Sequence, residues 1–458
     1  MSGQEIRVLS PTAILGYGFP EESFQNGIAK KPDLIACDAG STDPGPHYLG
    51  SGKSFTDRAF VKRDLRFMLV EGSRLGVPVV VGTAGGSGAA PHLAWCRSIM
   101  EEIAREERLS FTLGVIHSDV DKAAVKKALA SGRVAALPFV PPLTEKDIDE
   151  SLHIVAQIGC EPLQRALTKG CSVVLAGRCY DPANFAALPI MKGFDAGLAL
   201  HMGKILECGA IAATPGSGAD CAFATLYSDR FVLEALNPKR RFTRESAAAH
   251  TLYEKSDPYR LPGPGGLIDL TACSFSDLGD GRVEVRGSKH ERTPGYWVKL
   301  EGARRIGSRS ISIAGVRDPI MIRDIDSILD AVRRQVRSLA GESLRGELYF
   351  HVYGKNGVMG PTEPVTRTQS HELGIVIEAI SPTQEEADSL VSVTRSTLLH
   401  YGYPGRISTA GNLAFPFSPS DVRMGDVYGF SLYHLMRIDE PAEFPLEIVR
   451  VSRGEVRA

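Results

Sequence analysis

The sequence lacks the features that mark several large classes of protein. No stretch approaches the 18 consecutive apolar residues of a membrane span, and the longest apolar runs, such as VPVVV, have the length of a strand. The 52 Lys and Arg nearly balance the 54 Asp and Glu, so a net charge of −2 favours neither nucleic acid nor an anionic membrane as partner. The N-terminal MSGQEIRVLSPT has no apolar run of the signal-peptide kind, and we expect a cytoplasmic protein.

Paired cysteines are absent as well, although the chain has eight cysteines. None of them forms a C-x-x-C pair, and several lie in apolar strand or helix patterns. This spacing excludes a zinc knuckle and is typical of reduced thiols rather than a disulfide framework.

The composition that is present indicates a globular α/β protein. The chain has 458 residues, 43% hydrophobic and 23% charged, with 47 glycines and only 7% aromatics. That length exceeds what one hydrophobic core usually serves, so we expect two domains. In the first half, apolar strand patterns alternate with amphipathic helix patterns, which predicts a Rossmann-like, mostly parallel sheet covered on both faces. The predicted strands are 6–10, 33–40, 77–82, 110–119 and 171–178, and the predicted helices are 20–30, 60–76, 90–107 and 121–131.

The second half has a different pattern and predicts an α+β domain. Strand-like stretches at 282–288, 295–302, 309–318, 346–354 and 372–380 have few helices between them, and a helix is predicted at 323–339. The clearest helix is 381–402, for which Ser381 is the expected N-cap, with Pro382 at the first helical position and Gln384 completing a capping box. The stretch PYRLPGPGG interrupts the pattern at 258–266, so we place the domains at 1–255 and 256–458.

Three polar loops follow predicted strands, where parallel sheets bind ligands. The first, VVVGTAGGSGAAPHL (79–93), is a strand, a glycine-rich loop and a helix. Converging backbone amides and a helix N-terminus would suit a phosphate or carboxylate. The expected substrate-binding residues are Gly82, Thr83, Gly85, Gly86 and Ser87. The alternative is a tight turn packed against a neighbouring strand.

The second loop, ACDAGSTDPGPHYLGSGKSF (36–55), carries many polar groups past a strand end. Asp38 at the strand tip is the best candidate for a catalytic carboxylate, and Ser41 and Thr42 are expected to bind substrate. Asp43, His47 and Lys53 are further polar candidates in this loop. Since Asp-Pro-Gly is good turn chemistry, an Asp-capped turn is the alternative.

The third loop, LAGRCYDPANFAAL (175–188), offers Arg178 as a bidentate partner for a substrate carboxylate. Asp181 before Pro182 is a helix cap by its pattern. Cys179 becomes a candidate nucleophile only if its thiolate is stabilised.

The stretch ALHMGKILECGAI (199–211) concentrates chemically active side chains. A helix would place His201, Lys204 and Cys208 in one stripe about 60° wide, with Glu207 beside it. Glycines every six residues, at 197, 203 and 209, indicate close packing, and buried polar groups are expensive unless they are used. We therefore expect His201, Lys204 and Glu207 to be catalytic; an ordinary solvated helix flank is the alternative.

Two late segments complete the candidates. HYGYPGRISTAGNLAFPFSPSD (400–421) contains Arg406, Ser408, Thr409 and Asn412, of which Asn412 is expected to bind substrate in a site shared with the first domain. GKNGVMGPTEP (354–364) adds Asn356 and Glu363. An ordered connector is the alternative for both.

The chain contains the segments GTAGGSGA, LAGRCYDPA, HMGKILECGA and ISPTQEEA, the C-terminal HYGYPGR and STAGNLAFPFSP, and GFSLYHLM. Together these segments resemble the acyclic terpene utilisation (AtuA-like) family, and the resemblance runs from about residue 5 to 440. The resemblance implies a catabolic enzyme, with a lyase or hydratase step on a branched hydroxyacyl-CoA or a polycarboxylic acid. In relatives a small extra domain follows, whereas this chain stops at Ala458. We therefore expect a separately encoded companion subunit, together with a homo-oligomer.

Three functions stay open at this point. In the first, a lyase or hydratase, Asp38 or His201 is the general base and Lys204 stabilises the enolate. A divalent metal held by Asp38, His47 or Glu207 would be an alternative stabiliser, although no ligand spacing is diagnostic and the cofactor stays unknown. The second is a non-catalytic acyl-CoA-binding scaffold of a carboxylase pathway. The third is an amide or lactone hydrolase that uses Cys179 or Cys208.

Overall fold

The computed structural model describes residues 4–253, 256–341, 345–407 and 410–457. Contacts divide the chain into two compact units, Met1–Arg304 with Phe430–Ala458, and Arg305–Gly429. This division differs from the expected boundary at 255, because residues 256–304 and the C-terminal segment pair with elements of the first unit. Two long strands, Tyr296–Val316 and Asp421–Ile438, belong partly to each unit.

The first unit contains ten described helices, which alternate with strands in its N-terminal part. The helices are α1 (Glu21–Ala29), α2 (Pro46–Ser51), α3 (Arg58–Leu75), α4 (Ala90–Glu107), α5 (Lys122–Ala130), α6 (Glu145–Glu150), α7 (Cys160–Thr168), α8 (Ala183–Met191), α9 (Ala196–Leu206) and α10 (Arg244–Leu252). The strands are β1 (Ile6–Ser10), β2 (Leu34–Asp38), β3 (Val79–Gly82), β4 (Phe111–Ile116), β5 (Val134–Ala136), β6 (His153–Ala156), β7 (Val173–Ala176), β8 (Ala222–Leu226), β9 (Phe231–Ala235), β10 (Arg260–Gly263), β11 (Gly266–Asp269), β12 (Ser274–Asp277), β13 (Arg282–Arg286), β14 (Lys289–Arg292), the first part of β15 (Tyr296–Val316), the last part of β18 (Asp421–Ile438), β19 (Leu446–Ser452) and β20 (Glu455–Arg457).

An eleven-stranded sheet organises this unit, in the order β12-β13-β9-β8-β1-β2-β3-β7-β4-β19-β20. Its five central strands, β1, β2, β3, β7 and β4, are parallel, and antiparallel strands extend it on both sides. The predicted α/β fold with a Rossmann-like parallel sheet is confirmed. Because parallel strands end at the same edge, the loops after β1, β2, β3 and β7 share one side of the sheet.

Both faces of the parallel centre are buried, which explains why its strands are continuously apolar. Val79 and Val81 pack in one core cluster with α1, α3 and α4, while Val80 between them packs in a second cluster with α5, α7, α8 and α9. The alternation follows from the two-residue period of a strand.

The second unit is α+β, as expected for the later part of the chain. It contains α11 (Pro319–Arg323), α12 (Ile325–Ala340), α13 (Gln384–His400), β16 (Glu347–Tyr353), β17 (Leu373–Ser381) and the remaining parts of β15 and β18. Strand β17 pairs antiparallel with β16 and β15, and the core lies between these strands and the helices α12 and α13. The strands predicted at 295–302 and 309–318 are one strand, β15.

The predicted cap of helix α13 was wrong by two residues. Thr383 is the N-cap; its hydroxyl accepts from the backbone of Glu386, whose carboxylate accepts from the backbone N–H of Thr383. Ser381 instead ends strand β17, where it pairs with Ser308. Ser381 therefore belongs to strand β17, because its pairing with β15 outweighs the local pattern that predicted a helix cap.

Among the residues described, no helix has the length and apolar character to cross a bilayer.

Candidate functional site

The site is built where strands β2 and β3 end, beginning with Asp38 and Gly82. These two residues are partners in the parallel register, so their side-chain directions lie on the same face of the sheet. Gly82 has no side chain, and an added Cβ would lie 2.1 Å from Asn184 Oδ1. Asn184, in the first turn of α8, therefore fills the space beside Asp38.

A second close approach brings in the loop after β3. Gly40, two residues beyond Asp38, has a φ of +130°, and an added Cβ would lie 3.0 Å from the Cα of Gly86. This contact sets the loop that carries Thr42 against the loop that carries Ser87. We call Asp38, Thr42, Ser87 and Asn184 the strand-end cluster.

The strand-end cluster is buried but not satisfied. Asp38 is 5% exposed and the other three side chains at most 1%. Asp38 Oδ2 accepts from the backbone N–H of Gly40 at 3.1 Å. Among the described residues, Asp38 Oδ1, Thr42 Oγ1, Ser87 Oγ and both amide atoms of Asn184 have no hydrogen-bond partner. Since buried polar atoms are nearly always paired, each of these five atoms is a candidate partner for a bound polar group.

Burial raises the pKa of Asp38 well above its ordinary value, and the carboxylates of Asp181 and Glu207 raise it further. The guanidinium of Arg178 and the backbone N–H of Gly40 act in the opposite direction but do not cancel this effect. A carboxylate with a raised pKa takes up a proton more readily than an ordinary aspartate.

Arg178 is held by carboxylates of the chain itself, which disfavours its predicted role as the partner of a substrate carboxylate. Its Nε donates to Glu301 Oε2 and its Nη1 to Asp181 Oδ1, both at 2.8 Å, and Nη1 also donates to the carbonyl of Cys179. Lys299 Nζ lies 2.8 Å from the other oxygen of Glu301. Burial by itself would lower the pKa of Arg178, but the two carboxylates hold it well above the ordinary value. The residue is a buried ion-pair centre that positions its loop.

The glycine-rich loop uses its own amides internally, which argues against the expected anion cradle. The N–H of Gly86 donates to Thr83 O, and those of Ser87 and Gly88 donate to Ala84 O. The carboxylate of Asp119 accepts from Ala90 N at the start of α4. The loop instead packs closely, since a Cβ on Gly88 would lie 2.0 Å from Arg178 N.

Thr83 has a strained backbone, with φ +50° in a fully buried β-branched residue. Its Oγ1 accepts from Cys179 N at 3.3 Å, joining the loops after β3 and β7. Such strain persists where surrounding structure enforces it and clusters at functional sites.

Helix α9 separates the residues that the sequence placed in one stripe. Lys204 Nζ lies 2.6 Å from Glu207 Oε1 in a buried ion pair, and the charge of Glu207 contributes to the raised pKa of Asp38. His201 Nδ1 lies 2.7 Å from Ser288 Oγ and Nε2 3.1 Å from Thr251 Oγ1. Burial and then Lys204 lower the pKa of His201 to about 3. We interpret its neutral ring as a hydrogen-bonded core residue.

The cysteines proposed as nucleophiles lie in unfavourable surroundings. Cys179 is fully buried, and burial raises the pKa of its thiol well above the ordinary value, which keeps it protonated. Helix α9 ends at Leu206, with Glu207 as its C-cap, so Cys208 is outside the helix and outside the predicted stripe.

With this geometry established, comparison with known proteins identifies the family. The family model for acyclic terpene utilisation family protein AtuA matches residues 57–224 and 231–417, which is most of the chain. The chain belongs to the AtuA family. No curated protein and no solved structure matched it. The family name points to a role in acyclic terpene catabolism and names no reaction.

In this AtuA family member the matched regions include Ser87, Asn184 and the Lys204–Glu207 pair, whereas Asp38 and Thr42 precede them. The remaining polar candidates of the Asp38 loop are less buried than Thr42. Ser41 Oγ donates to Asp43 Oδ2 at 2.8 Å in an exposed turn. His47 and Lys53 are exposed.

The metal hypothesis has no ligand set in the part of the AtuA chain that the structure describes. Within residues 4–253, 256–341, 345–407 and 410–457, no three His, Cys, Asp or Glu side chains are grouped so that they could hold a metal ion.

The late candidates of the AtuA chain lie in the second unit. Asn412 Nδ2 donates to the carbonyls of Leu398 and Tyr401, so its side-chain amide caps the C-terminal end of α13. Arg406 donates to the carbonyl of Ala410, and Glu363 accepts from the backbone N–H of Val365. The backbone carbonyl of Asn356 accepts from Gly360 N. Ser408 and Thr409 lie outside the described residues, and a site shared with the first domain stays a prediction.

Three important residues were missed at the level of sequence. Asn184 follows Asp-Pro in the third loop, a position that pattern analysis assigns to a helix start. Glu301 lies in an ordinary strand pattern, 123 residues from Arg178. His92 Nε2 lies 3.1 Å from Tyr48 O and 3.0 Å from Lys53 O, so it donates between these carbonyls and ties the Asp38 loop to helix α4. The one sequence signal for the close packing of His92 was the Gly85-Gly86 pair that precedes it, since a Cβ on Gly85 would lie 2.9 Å from His92 Cβ.

Proposed function

We propose that this protein is a catabolic enzyme, a lyase or hydratase that acts on a branched hydroxyacyl-CoA or a polycarboxylic acid through proton transfer by Asp38. The observation that carries the proposal is the buried, unpartnered Oδ1 of Asp38 at the tip of β2, next to the unpartnered amide of Asn184. A substrate hydroxyl or carbonyl between them would satisfy both groups. The family's association with acyclic terpene catabolism supports a catabolic role.

The proposed chemistry gives each group one task. Ionised Asp38 accepts a proton in either reaction. In the lyase reaction the proton comes from the 3-hydroxyl, the C2–C3 bond breaks, its electron pair forms an enolate, and Asp38 returns the proton to the enolate carbon. In the dehydration the proton comes from the α-carbon, and Asp38 then donates it to the 3-hydroxyl, which leaves as water when the C3–O bond breaks. In both cases negative charge develops on the substrate carbonyl oxygen. The ammonium of Lys204, held by Glu207, is the group we assign to stabilise that charge. Thr42, Ser87 and Asn184 orient the substrate through hydrogen bonds.

The raised pKa of Asp38 favours this role because its carboxylate is a stronger proton acceptor than that of an ordinary aspartate. Water exclusion strengthens each electrostatic contact, since all four residues of the strand-end cluster are buried.

The decisive experiment is a mass-spectrometric screen of 3-hydroxyacyl-CoA thioesters and hydroxylated di- and tricarboxylic acids with the purified protein. We expect one class to be consumed by the wild type and by Asp43→Asn, which removes an exposed carboxylate from the same loop. Asp38→Asn should lose at least about a hundredfold in kcat, the usual contribution of general acid–base catalysis. Wild-type turnover by a folded Asp38→Asn variant would refute the assignment.

A ligand that binds without being converted would instead support the non-catalytic acyl-CoA scaffold. We also propose a cytoplasmic homo-oligomer that works with a small companion subunit. Light scattering on the purified chain tests the homo-oligomer, and co-purification with the product of a neighbouring gene tests the companion. A monomer that turns over substrate alone would reject both parts.

A further inference from the structure

A second cavity in the first unit has chemistry that the strand-end cluster does not use. Its volume is about 460 Å³, within the range of small-molecule sites. Its polar lining includes Glu161 on α7, His290 and Arg292 on β14, and Tyr296 at the start of β15. Ile190 and Leu200, from helices α8 and α9, form an apolar wall.

The carboxylate in this cavity already has a partner. The hydroxyl of Tyr296 donates to Glu161 Oε2 at 2.5 Å. Burial, and then the charge of Glu161, raises the pKa of Tyr296, so the hydroxyl remains a donor. A Cβ on Gly159 would lie 2.1 Å from this hydroxyl and one on Gly265 would lie 2.6 Å from the Tyr296 ring, so two glycines make the slot that holds it.

The side chains of His290 and Arg292, on the other side of the cavity, have hydrogen-bonding groups available for a ligand. His290 and Arg292 are two residues apart on β14, and their side chains therefore point to the same face. Neither side chain has a hydrogen bond or ion pair with any described residue, whereas the neighbouring Glu291 pairs with Arg260 at 2.8 Å. Burial and then the charge of Arg292 lower the pKa of His290, so its neutral ring offers an N–H donor.

We propose that this cavity is a binding site for a small organic carboxylate. Arg292 and His290 donate to the carboxylate, and the wall formed by Ile190 and Leu200 covers the short hydrocarbon part. A carboxylate is favoured over an amine because the guanidinium lacks a partner while the carboxylate of Glu161 has one.

Isothermal titration of the full chain with hexanoate, hexanamide and hexylamine tests this site. We expect saturable binding of hexanoate and at least about tenfold weaker binding of the other two, since they lack the charge that Arg292 recognises. Arg292→Gln should weaken hexanoate binding at least about tenfold. Lys289→Gln is the matched control: Lys289 and Arg292 are both exposed, but Lys289 lies on the opposite face of β14, so losing its charge should leave the affinity within about twofold.

A second variant distinguishes a specific loss of hexanoate binding from a loss of folding. Tyr296→Phe removes only the hydroxyl, which frees the charge of Glu161 to repel the ligand, and it should weaken hexanoate binding while circular dichroism stays unchanged. The proposal is overturned if hexanoate fails to bind saturably, if hexylamine binds as well as hexanoate, or if Arg292→Gln and Lys289→Gln have equal effects.

Discussion

Replacing Glu301 by Gln should destabilise the first unit strongly while leaving its shape unchanged. Glu301 is fully buried and accepts from Arg178 Nε at 2.8 Å. Loss of its charge leaves the 1%-exposed guanidinium with Asp181 as its remaining carboxylate partner. Removing one member of a buried ion pair costs about 3–5 kcal/mol, because the other charge stays desolvated and uncompensated.

The lowered pKa of Glu301 leads to a similar magnitude. Burial alone would raise its pKa, but Arg178 and Lys299 lower it from 4.5 to about 2. A shift of that size in a buried group corresponds to about 3 kcal/mol of stability. Because the folded-state pKa lies below the unfolded one, this contribution is complete above pH 4.5 and is lost as the pH falls toward 2.

Urea unfolding of the wild type and Glu301→Gln between pH 7 and pH 3 measures both effects. We expect a difference of about 3 kcal/mol or more at pH 7 that narrows below pH 4.5. Glu150→Gln is the matched control, since Glu150 forms an exposed ion pair with Arg304, and it should change stability by less than about 1 kcal/mol. A Glu301→Gln variant as stable as this control at pH 7 would show that the buried network is not held by charge.

Three further predictions follow from the same geometry. Asp38→Asn should raise the Tm at pH 7, because the raised pKa of Asp38 makes the wild type lose stability as the pH rises above 3.8. The difference in Tm between variant and wild type should shrink toward pH 4. A Tm of the variant below that of the wild type at pH 7 would contradict the argument that burial penalises the Asp38 charge. Gly82→Ala should cost about 1–3 kcal/mol in urea unfolding because its Cβ would lie 2.1 Å from Asn184, whereas Gly402→Ala, with no atom within 4 Å, should be nearly neutral. The His201 imidazole, with its pKa near 3, should show no NMR titration between pH 8 and pH 5; a midpoint near 6.5 would place it in solvent.

Local patterns were sufficient where the chain's own chemistry decides the structure. Helix α4 has the predicted bounds, 90–107, because its apolar spacing is uninterrupted and Pro91 suits the first turn. The strands of the parallel sheet were recognisable because burial on both faces demands continuous apolar runs. The pattern failed at Ser381 and at the end of α9, where strand pairing and packing decided between local options of similar energy.

The candidate site shows the same division. The sequence placed Asp38 at a strand tip and Thr42 and Ser87 in loops that follow strands, and the parallel topology brings the ends of those strands to one edge. It could not show that Arg178 is neutralised by Glu301, because a charge is recognised as paired only when its partner is known.

The amino-acid sequence by itself determined the alternation of strands and helices, the parallel centre of the sheet and the loops that carry polar groups, since these depend on side-chain periodicity and backbone preferences within a few residues. Only the tertiary structure decided that Asn184 occupies the space left by Gly82, that His201 is a core residue and that the amides of the glycine-rich loop bond to one another. Each of these outcomes depends on which groups are desolvated together, and desolvation is a property of the packed chain rather than of a segment.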